Sequence, residues 1–133
     1  MSCIGGDTLN RTQIDELEKL IGQLESIYKE LTVLSKKSPN DAVNTFKIRF
    51  VNVTLKNCNS FLCKKYKPFD DFNQFEMDDV PSNSDLTFII AQYMQAMEKF
   101  RSDNIYEDYP EWYYRIKDSD EQIRTAPPAK IKK

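Results

Sequence analysis

Apolar residues recur at helical spacing through the first third of the chain. Their side chains step by three and four positions along one stripe, and further apolar positions widen it on one flank. The stripe holds Ile14, Leu17, Ile21, Leu24, Tyr28 and Leu31, with Leu20, Ile27 and Leu34 on the flank. This pattern predicts a helix over residues 11–37, with Thr12 and Asp15 as a capping box. The heptad spacing would suit a coiled-coil dimer, but a stripe this wide is more typical of a bundle helix.

Two apolar tracks follow on different sides of a second predicted helix. One track holds Val43, Phe46, Phe50, Val53 and Phe61, and the other holds Ile48, Val51, Leu55, Cys58, Leu62 and Tyr66. Ser38 as the N-cap and Pro39 in the first turn predict that this helix begins directly after the first one. Residues 46–55 would also suit a strand, because they are rich in β-branched and aromatic side chains. The tracks continue to Tyr66, beyond the usual length of a strand, and therefore favour a helix.

A third helix and an aromatic segment complete the predicted fold, which is all-α. Ser82 or Ser84 would cap the third helix, whose inward residues are Leu86, Ile90, Tyr93, Met97 and Phe100. Residues 106–116 contain five aromatic side chains, and Pro110 suits the first turn of a short fourth helix. We therefore expect a helical hairpin, a third long helix and a short aromatic C-terminal helix, packed as a small helical bundle. The single domain spans residues 11–118, between a flexible N-terminus (1–10) and a mobile tail (119–133).

Charge is segregated along the chain although the net charge is only −2. Residues 29–67 contain nine Lys or Arg and two acidic residues, whereas residues 68–122 contain fourteen acidic residues and four basic ones. Such a distribution favours association through oriented electric fields, either with a second copy or with a charged partner.

The cysteines and the missing histidine limit the possible chemistry. The chain has no histidine, which excludes histidine-dependent catalysis and histidine-ligated metal. Cys3, Cys58 and Cys63 have no CxxC spacing, and helical geometry separates the last two, so we expect reduced thiols that pack in the core. No apolar run is long enough to cross a bilayer, and the first residues lack the pattern of a signal peptide. These features predict a cytoplasmic protein without membrane contact.

The segment over residues 68–85, which we call the connector, alternates aromatic and acidic side chains. Its carboxylates are Asp70, Asp71, Glu76, Asp78 and Asp79, and its apolar residues are Phe69, Phe72, Phe75 and Met77. An EF-hand is excluded because the segment has no glycine. We expect first a connector that the apolar residues anchor to the helices, second an acidic surface for a basic partner, and third an irregular Mg²⁺ or Ca²⁺ site. The preferred interpretation has no metal and no cofactor.

Two further sets of residues could bind a ligand. The polar face of the second helix carries Arg49, Asn52, Lys56, Asn59 and Lys67, which could contact a nucleic acid or a nucleotide, although such a face is usually only solvated. Trp112 and Tyr113 are candidate anchors at a protein interface, although the aromatic segment could equally close the end of the bundle.

These observations predict a non-enzymatic protein–protein interaction module, an accessory subunit or regulator that self-associates or docks on a larger partner. A homodimer or a hetero-complex is expected, because three or four helices cannot cover all the apolar surface of the first two. Binding of nucleic acid or a nucleotide is the first alternative. A metal-dependent enzyme that uses the acidic connector is the second. No catalytic residue is assigned.

Overall fold

The computed structural model describes residues 9–117 and 119–129, which form three helices and a small sheet. The helices are α1 (Arg11–Lys37), α2 (Thr45–Tyr66) and α3 (Asn83–Asp103), and a short 3₁₀ turn lies at Met77–Asp79. α3 packs against both α1 and α2. The mostly helical architecture predicted from the sequence is therefore confirmed.

Side-chain caps fix where α1 and α3 begin. Asn10 caps α1 by accepting from the Gln13 N–H at 2.8 Å, and the Gln13 side chain accepts from the Asn10 N–H at 3.0 Å. The bounds predicted for α1 are confirmed, but the cap predicted at Thr12 is wrong. α3 begins as expected, with Ser82 and Asp85 as a reciprocal capping box.

The start predicted for α2 is wrong. Asn44 caps this helix, and residues 38–44 form a loop instead of a first turn. Backbone groups of the loop bond to the start of α3: the Val43 N–H donates to the Pro81 carbonyl at 3.0 Å, and the Asn83 N–H donates to the Asp41 carbonyl at 2.9 Å. Because these long-range hydrogen bonds satisfy backbone groups of the loop, those groups do not need helical hydrogen bonds. The β-rich segment over residues 46–55 is helical, as predicted.

The C-terminal aromatic segment forms strands, so the all-α prediction is wrong for this part of the chain. Strands β1 (Ile105–Asp108), β2 (Glu111–Tyr114) and β3 (Arg124–Thr125) form an antiparallel sheet in that order. Tyr109 and Pro110 make the two-residue turn between β1 and β2 instead of opening a helix. Aromatic and β-branched residues favour a pleated surface that is covered on one face, and the bundle provides that cover.

The packed part of the chain extends past both predicted domain boundaries. Leu9 is fully buried and pairs with Ile116 through a parallel bridge. Beyond the sheet, the buried Arg101 guanidinium donates to Thr125 Oγ1 at 2.7 Å and to the Ala126 and Pro127 carbonyls. The segment over residues 123–127, which the sequence predicted as part of a mobile tail, therefore lies against α3.

A carboxylate beside Arg101 completes this attachment. Glu98 accepts two hydrogen bonds from Arg101, both at 2.8 Å, and a third from the Ala129 N–H at 2.9 Å. Burial alone would raise the pKa of Glu98, but the bonds from Arg101, Ala129 and Ser102 and the charge of Arg101 together lower it below its ordinary value. The pair is well shielded, since the Arg101 side chain is 8% exposed and that of Glu98 is 15% exposed.

One cysteine departs from the reduced state that the sequence predicted. Cys58 is a free thiol in the core, and burial followed by the charge of Glu16 raises its pKa to about 12. Cys63 takes part in a disulfide, so the prediction is wrong for this residue. Cys58 and Cys63 are not bonded to each other, as helical geometry predicted, and Cys3 lies outside the described residues. The argument for a cytoplasmic compartment used reduced cysteines and loses that support.

Candidate protein-binding groove

A groove separates the outer sides of α1 and α2. It encloses about 470 Å³, and its floor is formed by one buried side chain from each helix: Leu31 of α1, Val51 of α2 and Leu86 of α3. α1 packs more closely on α3 than on α2, which leaves this cleft between the two helices of the hairpin. The groove therefore lies directly over the hydrophobic core, whose residues here remain buried.

Large apolar side chains form the wall of the groove on α2. Phe46, Phe50 and Val53 are 58%, 55% and 51% exposed, and we call these three residues the apolar seam. They recur at steps of four and three and so lie on one face of the helix. The Phe46 and Phe50 rings meet edge to face with their centroids 4.9 Å apart. The seam belongs to the first apolar track of the sequence, whose other members, Val43 and Phe61, are buried.

Two polar contacts tie α1 to α2 across the groove. Lys47 Nζ lies 3.6 Å from Glu30 Oε1, and Thr54 Oγ1 lies 3.5 Å from Gln23 Oε1. The two contacts are seven residues apart on each helix, which corresponds to about 10 Å along the axis. The half-buried Ile27 of α1 lies between them, so the groove remains apolar in its middle.

The charges beside the seam differ between the two helices. Arg49 and Lys56 are exposed on α2, about 75° around the axis from the seam at 100° per residue. Neither forms an ion pair with any residue that the structure describes. On the α1 side, Glu16 and Lys19 line the groove and offset each other, and the third charged residue, Glu30, pairs with Lys47 of α2. The rim is therefore basic along α2 and close to neutral along α1.

The connector occupies the opposite flank of α2. The Asn52 amide donates to the Phe75 carbonyl at 2.9 Å and accepts from the Phe75 N–H at 2.8 Å. Asn59 accepts from the Tyr93 hydroxyl at 2.8 Å and donates to the Asn73 carbonyl at 3.4 Å. Both amides therefore hold the chain between α2 and α3 in place.

The residues predicted for the nucleic-acid alternative thus divide into two sets. Asn52, Asn59 and Lys67 contact the connector, since Lys67 Nζ bonds to Asn73 Oδ1. Arg49 and Lys56 face solvent beside the seam. Sequence spacing placed all five on one polar face, but it gave no sign that three of them bind this protein's own backbone.

The connector is anchored by its phenylalanines, as the first interpretation expected. Phe75 is 7% exposed, and its ring lies 5.1 Å from that of Phe72, which in turn lies 6.4 Å from Tyr93. Phe69 stacks on Phe88 at 6.0 Å. Met77 is exposed, so its predicted role as a further anchor is wrong.

The acidic side chains of the connector point away from the core. Asp70, Asp71, Glu76, Asp78 and Asp79 are all exposed. Among the residues that the structure describes, no three acidic or cysteine side chains come together in a group that could hold a metal ion. The docking of a basic partner on this surface stays a prediction.

The two aromatic candidates lie on the sheet. Trp112 is half-buried and packs against the core, while Tyr113 is half-buried beside Tyr106, with ring centroids 6.0 Å apart. They lie on adjacent positions of β2 and so face opposite sides of the sheet. The structure therefore does not bring them together as one surface.

Comparison with other proteins adds no relative. The chain matches no protein-family model, and it has no significant match among curated proteins or solved structures. In the parts of the chain that the structure describes, no helix is long and apolar enough to cross a membrane.

Proposed function

We propose that this chain is a non-enzymatic protein–protein interaction module, an accessory subunit or regulator that self-associates or docks on a larger partner through the groove between α1 and α2. The observation that carries this proposal is the apolar seam, three large side chains more than half exposed beside a floor of core residues. Exposed apolar residues are ordinary when scattered, whereas a contiguous group at a cleft is typical of a binding surface.

Covering the seam would supply part of the binding energy of an interface. Complete burial of a Phe or Val side chain contributes about 1.5–3 kcal/mol relative to full exposure. Because each seam residue retains roughly half its exposure, covering all three would contribute about 2–4 kcal/mol before the costs of association. That is enough to form the centre of an interface, although other contacts must complete it.

The two alternatives have less support. The nucleic-acid alternative depended on asparagine side chains that here bind the connector. The metal-enzyme alternative depended on acidic side chains of the connector, which form no ligand group within the described residues. Neither alternative accounts for the apolar seam.

The test is a binding map with a neutral probe. A synthetic helical peptide of about 16 residues, with leucines at helical spacing and glutamines elsewhere, is titrated into ¹⁵N-labelled protein. We expect the largest chemical-shift changes at the seam and at Ile27, and their loss in Phe50→Ser. Light scattering over the micromolar range measures self-association of the same samples. A protein that stays monomeric and shows no change at the groove would contradict the proposal.

A further inference from the structure

The spacing of the seam suits a helix. The seam runs over seven positions from Phe46 to Val53, or about 10 Å along α2, which is two helical turns. An amphipathic helix presents its own apolar side chains at steps of three and four, and it can therefore interdigitate with a seam of the same spacing. The seam thus presents about two turns to a helix that lies along α2.

The charge beside the seam selects among such helices. Arg49 and Lys56 are seven residues apart on one flank of the seam, and neither has an ion-pair partner among the described residues. A helix lying along the seam would bring one of its own flanks next to both cations. Acidic side chains on that flank would complement them, whereas basic ones would be repelled. The near-neutral rim on α1 imposes no comparable requirement.

The same cations oppose packing of two copies through α2. In an antiparallel pair the flank carrying Arg49 and Lys56 meets the same flank of the second copy. In a parallel pair it meets the other flank, where Lys47 already pairs with Glu30. The antiparallel arrangement therefore places unpaired positive charges against each other, and like charges at an interface weaken association.

We infer that the occupant of the groove is an amphipathic helix of a different protein, with its apolar face on the seam and acidic residues along the flank that meets Arg49 and Lys56. The inference rests on the proposed function and names the chemistry of its partner. One other occupant is an outcome of the test: the connector of a second copy, whose exposed Met77 and Val80 lie beside acidic residues.

Two peptides with the same leucine face form the test. One carries glutamate on its flanks and the other carries lysine, and fluorescence anisotropy measures the affinity of each for the full chain. At about 50 mM salt we expect the acidic peptide to bind at least about tenfold more tightly, because close opposite charges act over the distance that such salt leaves unscreened. At about 500 mM salt the difference should shrink.

Matched variants assign the preference to the two cations. The double reversal Arg49→Glu with Lys56→Glu should remove or invert the preference. The control Lys29→Glu with Lys117→Glu makes the same change in net charge at exposed positions outside the groove and should retain it. Circular dichroism melts of both double variants verify that they are folded.

Each outcome separates the inference from the proposed function. The inference would be overturned by equal affinities, by a preference for the lysine peptide, or by a preference that survives Arg49→Glu with Lys56→Glu. In each of these cases, loss of the binding of both peptides in Phe50→Ser would still support the groove as the binding site. A dimer that dissociates in Asp78→Asn with Asp79→Asn, and that competes with the acidic peptide for the groove, would assign the groove to a second copy. Failure of both peptides to bind, together with a monomeric protein, would contradict both proposals.

Discussion

Along one flank of α2 the connector covers the helix, and along another flank the apolar seam is open to solvent. Both regions are rich in phenylalanine, yet Phe75 of the connector is 7% exposed while Phe50 of the seam is 55% exposed. The difference lies in the polar groups beside them. Asn52 and Asn59 bond to backbone groups of the connector and hold it in place, whereas the seam has Arg49 and Lys56 beside it, without partners in the described residues.

Apolar content alone therefore does not determine which surface of a small domain is covered. A segment without regular structure can pack on a helix only where its backbone hydrogen bonds are satisfied. The asparagines provide such partners on one flank of α2. A binding partner with its own satisfied backbone, such as a helix, needs no amide partner and can occupy the other flank.

The largest expected effect is the loss of the central anchor of the connector. Phe75→Ala should lower the free energy of unfolding by about 3 kcal/mol or more, because it removes a buried ring that packs on Phe72. Urea unfolding monitored by circular dichroism measures the change. Phe69→Ala is the matched control, and we expect a smaller loss there since Phe69 is only half-buried. Equal losses at both positions would mean that the connector has no central anchor.

The amide anchor should have the next largest effect. Asn52→Ala leaves the Phe75 N–H and carbonyl without their partner, and we expect the free energy of unfolding to fall by about 2 kcal/mol. Asn57→Ala changes an exposed asparagine of the same helix and should cost less than about 0.5 kcal/mol. Urea unfolding of both variants decides the point. If Asn52→Ala were as harmless as Asn57→Ala, the explanation of the covered flank would be wrong.

The segment over residues 123–127 is a second part of the chain that side-chain hydrogen bonds hold against a helix, here through Arg101. The folded-state pKa of Glu98 is lower than its ordinary value near 4.5. Its contribution to stability is therefore complete above that value and is lost as the pH falls through the lower folded pKa. Unfolding free energies measured from pH 6 to pH 2 should fall less steeply in Glu98→Gln, because the variant has no carboxylate to protonate at this position. Parallel pH profiles of the two proteins would contradict this prediction.

The smallest effect is expected at the exposed acids of the connector. Asp78→Asn with Asp79→Asn should change the free energy of unfolding by less than about 0.5 kcal/mol, because both side chains face solvent. Thermal melts with and without Mg²⁺ or Ca²⁺ measure this. A rise in the melting temperature of the parent protein with metal, absent in the variant, would instead support a metal site.

Local patterns predicted the parts of the fold that local interactions determine. The apolar stripe placed α1 at its observed bounds, and Ser82 was one of the two serines predicted to begin α3. The loop over residues 38–44 could not be predicted in this way, since its hydrogen bonds run to residues about 40 positions away. The strands at Tyr106 and Tyr113 were missed for a different reason, because they pair locally through the turn at Tyr109 and Pro110, and a proline suits a turn as well as the start of a helix.

The sequence identified the residues of the candidate site, but it did not show which of the apolar residues would remain exposed. Helical spacing identified Phe46, Phe50 and Val53 as part of one apolar track, and the excess of apolar surface suggested that some would remain uncovered. Which flank of α2 the connector would cover depended on Asn52 and Asn59, which the sequence presented as a polar face like any other. An asparagine at helical spacing from a second one, opposite an aromatic connector, is the signal that could have revealed the covered flank.

The central claim is that Phe46 and Phe50 serve a partner more than the fold. The most direct test is the free energy of unfolding of Phe46→Ser with Phe50→Ser, measured in urea beside the affinity of the same protein for the acidic helical peptide. We predict that stability falls by about 1.5–3 kcal/mol, because each ring is already about half-buried, while the affinity falls at least about tenfold. A loss of more than about 6 kcal/mol in stability, the size expected for two core phenylalanines, or an unchanged affinity in a stable variant, would contradict the account.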